Sequence, residues 1–143
     1  MRQKGAAVSV RSGLRTWCAV WLVMSMFAPG QPVQAQDPHQ VVEQMNRDAM
    51  DAYNSLDINK AGSMLDEALR VGYGARVDPQ LLARVHVNLG VVYIGGLGDQ
   101  NSGLQTFTQA VCLDPNVQLD PLTSSPEIQN VFGVALQRAT VRP

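Results

Sequence analysis

Two stretches of this chain repeat one pattern about forty residues apart, and that repetition limits what the chain can fold into. The clearer copy reads Leu89-Gly90-x-x-Tyr93, then Gly103-x-x-x-Phe107-x-x-Ala110-x-x-x-x-Pro115; the fainter copy reads Tyr53, then Ala61-x-x-x-Leu65-x-x-Ala68. The two alanines lie 42 residues apart and the two tyrosines 40. Steps of three and four within each copy put these residues on one face of a helix.

The same period runs through the rest of the chain. Asp37-Pro38 opens a helix whose stripe is Val41, Met45, Ala49, Ala52 and Leu56. Asp57 caps the next, with Ile58, Ala61, Leu65, Ala68 and Leu69, and the short break from Ser55 to Asp57 forces an antiparallel pair. Val71 to Val77 holds two glycines and no helical period, so it is expected to be a loop. Asp78-Pro79 starts a third helix along Leu81, Val85, Leu89 and Val92. Gly95-Gly96-Leu97-Gly98-Asp99 is a glycine-rich turn; it follows a helix and lacks lysine, unlike a phosphate-binding loop. Asp99 or Ser102 caps a fourth helix with Leu104, Phe107 and Val111, which Asp114-Pro115 ends. After a polar stretch, Ser125-Pro126-Glu127 starts a last helix along Ile128, Val131, Phe132 and Ala135. No segment alternates as a strand does. The predicted class is all-α.

The chain divides at Ala35. Arg2, Lys4, Arg11 and Arg15 precede an apolar run from Trp17 to Ala28, and Val33-Gln34-Ala35 supplies small residues for a peptidase. The order describes a secretory signal peptide over 1–35, with a helical domain over 36–143. The apolar run falls short of the roughly 20 residues a spanning helix needs, so the exported domain is expected not to span the membrane. Export places it in the periplasm or outside the cell. From Gln36 onward seven Lys/Arg face twelve Asp/Glu, a net charge of −5 with no basic cluster. Nucleic acid and anionic membrane surfaces are therefore poor partners. Cys18 falls in the discarded leader, leaving Cys112 without a partner for an internal disulfide; it reads as a packed or half-packed thiol.

The second copy resembles the tetratricopeptide repeat in its Leu-Gly pair, Tyr93, Gly103, Phe107, Ala110 and closing Pro115. The resemblance covers roughly Asn46 to Pro115 and implies two antiparallel helix hairpins, a right-handed α-α superhelix and a capping helix at the C-terminal end. It also implies that Gly90 and Ala110 sit where paired helices nearly touch, with Tyr93 and Phe107 filling the wedge beside them. Departures are local: the usual Trp is His86, Ala49-Met50 stands where Leu-Gly belongs, and one residue is inserted, expected in the glycine turn. A HEAT- or armadillo-like repeat has a comparable period without the Leu-Gly-x-x-Tyr signature. Leu-Asp-Pro, then Ser-Pro-Glu and a Phe-bearing helix, resembles the segment on the C-terminal side of such modules in exported proteins of Gram-negative bacteria.

Catalytic chemistry finds few residues. His39 and His86 are the two imidazoles, the serines suit caps and turns, and Asp66 and Glu67 diverge by about 100° on a helix. No His/Cys spacing matches a metal site, so no enzyme, metal or cofactor is expected. The resemblance instead implies a groove lined by the first helix of each hairpin, binding a protein or peptide. Asn88, before the expected close approach, can donate and accept together, and Arg84 and Val91 are expected on its face. The first hairpin contributes Gln44, Arg47, Asp48, Asp51 and Asn54; Asp48 disfavours an acidic peptide terminus. Two functions stay open: an envelope module that holds a peptide or partner protein, and a structural or self-associating front domain of an envelope assembly.

Overall fold

The computed structural model describes residues 36–141, and the expected leader over 1–35 lies outside them. Five α-helices occur in chain order: α1 (Pro38–Asn54), α2 (Ile58–Ala75), α3 (Pro79–Val91), α4 (Gln100–Leu113) and α5 (Pro126–Thr140). No strand occurs among the described residues, so the fold is all-α. Each helix starts on a side-chain cap. Asp37, Asp57, Asp78, Asp99 and Ser125 accept hydrogen bonds from backbone N–H groups of the first turn, which lack intrahelical partners. No helix among the described residues is long and apolar enough to cross a membrane.

Consecutive helices pack in antiparallel pairs. Gly72, near the end of α2, lies against Val42, near the start of α1. In the second pair a Cβ at Gly90 would strike the Phe107 ring, and one at Gly103 would strike Ile94. The helix backbones therefore approach more closely than a side chain at either glycine allows.

Helix α3 is the centre. With α1 and α2, its Leu81, Leu82, Val85 and Leu89 form one core cluster around Val42, Ala49, Leu65 and Ala68. Its Val87 and Val91 join Phe107, Ala110 and Val111 of α4 and Ile128, Phe132 and Ala135 of α5 in a second. The Phe107 and Phe132 rings meet edge to face at 5.2 Å, an arrangement favoured by the aromatic quadrupole. Helix α5 runs in the same direction as α4: Gln100 Nε2 donates to Glu127 Oε1 at 2.6 Å at one end, and Phe107 meets Phe132 further along both. The connection between them must travel back along the bundle, and its Val117 and Leu119 pack on the second cluster.

Four sequence expectations change. Val71 to Ala75 continues α2, which ends only at Arg76 in the left-handed conformation. Gly72 belongs inside the helix because its missing Cβ makes room for Leu82. The glycine turn begins later than expected: Val92–Gly96 extends α3 as a π-helix, the wider turn that holds one extra residue. Leu56 is not on the α1 stripe; α1 stops at Asn54, and Leu56 sits in the turn at φ 65°, 84% exposed. Cys112 faces solvent on α4, neither packed nor half-packed.

Candidate functional site

Beyond its first two residues, the central helix meets solvent at two places. From Leu81 to Val92 every residue is buried except Arg84, which is exposed, and Asn88, which is half-buried. They are one helical turn apart and share a face. At that face α3 meets α1: Asn88 Nδ2 donates to Asn46 Oδ1 at 2.8 Å, linking residues 42 apart. Asn46 is buried, an uncommon place for a carboxamide unless it is hydrogen-bonded. The bond leaves one acceptor on Asn88 and one donor group on Asn46. Among the described residues neither Asn88 Oδ1 nor Asn46 Nδ2 has another protein partner.

Val91 does not belong to this face. It is 1% exposed and packs in the second core cluster with residues of α4 and α5. The approach of α5 closes a side of α3 that a single hairpin would leave open, so Val91 is a core residue.

On α1, Arg47, Asp51 and Asn54 are exposed, as are Gln44 and Asp48. The structure does not gather them at one point. Arg47 is held along its own helix, pairing with Glu43 at 3.2 Å and donating to Gln44 Oε1 at 2.8 Å. Gln44 in turn donates to Asp48 Oδ1 at 2.6 Å. Such solvent-exposed pairs are each worth about 0–1 kcal/mol, so a ligand could displace them at small cost. Asp51 borders a depression near the α1–α2 turn with Asp48, Ser55, Asp57 and Lys60. Asn54 ends α1 beside that turn.

His86 lies deeper. It is 4% exposed, and its Nε2 shares a 2.8 Å hydrogen bond with the Tyr73 hydroxyl of α2, while Nδ1 is buried with no partner. Burial disfavours the charged ring and pushes its pKa down to about 4. The ring is neutral at physiological pH and bridges α2 to α3. Among the described residues no three His, Cys, Asp or Glu side chains are placed to hold a metal ion.

Asn46 is the site residue that reading the sequence missed. The 42-residue offset between Ala68 and Ala110 maps Asn46 onto Asn88, so the signal was present in the repeat itself. What emerges is a polar seam between α1 and α3, made of Asn46, Asn88 and Arg84. No protein-family model matches the chain, and comparisons with curated proteins and with solved structures return no match.

Proposed function

We propose that this chain is a non-catalytic protein–protein interaction module that holds a peptide or partner protein along the seam between α1 and α3. The observation that carries the proposal is the opening of an otherwise buried α3 at Arg84 and Asn88, beside Asn46. An extended peptide presents both N–H and C=O groups, and the seam offers an acceptor on Asn88 and a donor on Asn46 to meet them. Arg84 adds a charged donor one turn away.

Two antiparallel pairs whose first helices adjoin support a tetratricopeptide-like arrangement, with a right-handed superhelix as its natural extension. The extra residue relative to that pattern coincides with the π-helix Val92–Gly96. The direction of α5, shared with α4, suits a closing helix better than the start of a third hairpin. With a leader removed after Ala35, the module would work in the periplasm or outside a Gram-negative cell, as part of an envelope complex.

The test is capture from envelope extract by the purified protein and by an Arg84→Glu/Asn88→Ala variant, with both checked for equal helicity. A specific partner retained by the first and lost by the second supports the seam. Equal capture by both removes it. The second reading, a self-associating front domain, is favoured by the solvent-facing side of α5.

A further inference from the structure

The outer side of α5 is patterned although nothing among the described residues covers it. Ile128, Phe132 and Ala135 turn inward to the second core cluster. On the opposite side Asn130, Val134, Gln137 and Val141 recur at steps of four, three and four, a continuous helical stripe. Val134 is 41% and Val141 79% exposed, and with Gln137 and Arg138 they border a shallow depression of about 410 Å³. Gly133 flanks the stripe, and a Cβ there would meet nothing within 4 Å. A glycine inside a helix weakens it, and no contact among the described residues requires this one.

The charges say which neighbour. Glu127 and Arg138 lie three helical turns apart on the same edge of the stripe, near its two ends. Among the described residues Arg138 makes no ion pair, and Glu127 accepts one hydrogen bond, from Gln100. When two identical helices pack antiparallel across a two-fold axis, like edges meet and opposite ends align. Glu127 of each copy then faces Arg138 of the other, Asn130 faces Gln137, and Val134 lies near the axis. Parallel packing across a two-fold axis sets the Glu127 and Arg138 edge of each copy against the other edge of its partner, and neither charge is met. The face is complementary to itself in one orientation.

We infer that the outer face of α5 is an isologous interface that joins two copies of this chain with their α5 helices antiparallel. The inference deepens the self-association reading and rests on it, but does not involve the α1–α3 seam. Sedimentation equilibrium on the full processed chain tests it. The native protein should be a concentration-dependent dimer. Arg138→Glu, which repeats the same like-charge contact at both ends, should weaken it by about tenfold. Glu127→Arg should do the same, and the double variant should restore native affinity. Val134→Glu should give a monomer of unchanged helicity, while Gln100→Ala should leave the dimer intact. A dimer indifferent to Val134→Glu and to both single charge changes would overturn this surface and leave self-association standing. A charge swap that fails to restore affinity would overturn the antiparallel pairing. A monomer at every concentration would overturn surface and self-association together.

Discussion

Replacing Gly90 by alanine sets two effects of opposite sign against each other. In an unhindered helix the change would stabilise by about 1 kcal/mol, because alanine loses less backbone freedom than glycine. Here the new methyl would overlap the Phe107 ring. That ring cannot retreat, since it is fully buried and its other side meets Phe132 edge to face. Relief has to come from α4 moving away from α3, and overpacking of this kind costs about 1–3 kcal/mol. With no easy escape for the ring, the cost lies toward the upper end, leaving a net loss of about 1–2 kcal/mol. For a domain this small each kcal/mol moves the melting midpoint by roughly 4–6 °C, so Gly90→Ala should melt roughly 5–10 °C lower. The matched control is Gly74→Ala, late in α2, where a Cβ meets nothing within 4 Å; it should melt slightly higher than the parent. Adding Phe107→Leu to Gly90→Ala should recover less than the whole loss, since the smaller side chain also gives up buried area. Thermal unfolding followed by circular dichroism reads all three. If Gly90→Ala raised the midpoint as Gly74→Ala does, the close α3–α4 approach would be refuted.

Three further outcomes rest on other parts of the fold. His86 has its pKa lowered to about 4 in the folded chain against about 6.5 unfolded. The stability it contributes is therefore present above about pH 6.5 and lost as pH falls toward 4, on the order of 3 kcal/mol in all. His86→Phe should flatten the denaturation midpoint between pH 6.5 and 5, and a slope identical to the parent's would place the imidazole in water. Phe132→Ala removes a ring packed on Phe107 and should cost about 3 kcal/mol, the lower end for buried aromatics because its edge is slightly exposed; a loss under about 1 kcal/mol in urea titration would detach α5 from the core. Leu56→Asn relieves an exposed leucine held at φ 65° and should stabilise by about 1 kcal/mol. No change in midpoint would mean the turn relaxes freely.

How much of this was legible depends on the range of the forces concerned. Caps are local chemistry: Asp57, Asp78 and Ser125 start their helices where the sequence placed them, and of the two candidates for α4 it is Asp99, not Ser102, that caps. Stripes hold wherever one neighbour buries them, as for Leu65 and Ala68 or Phe107 and Val111. Reading fails where packing outweighs local preference. Gly72 looks like a breaker until Leu82 occupies the space its side chain would need. Val91 looks outward until α5 arrives from the far side, and α3 is then buried on every side but that of Arg84 and Asn88, so a single stripe has no meaning. The Asn46–Asn88 bond was visible only as a repeat offset, because neither residue says alone that the other satisfies it.

The two surfaces have different consequences if both operate. Helix α3 separates them, its Asn88 opening toward α1 and its Val87 and Val91 packing toward α4 and α5. A dimer built on the outer side of α5 therefore leaves both α1–α3 seams uncovered, one in each copy. Each seam is small, two carboxamides and an arginine, and would hold a single peptide weakly. Two seams fixed in one particle act on a repeated or clustered target at a raised effective concentration, which multiplies apparent affinity by about 10²–10⁴ without any new contact. The Val134→Glu monomer should accordingly bind a monomeric peptide as well as the native dimer does, yet release a surface densely coated with that peptide far sooner. Equal residence of monomer and dimer on the coated surface would show that the two seams cannot engage one target together. The purpose of the α5 pairing would then have to be sought in the shape of the assembly.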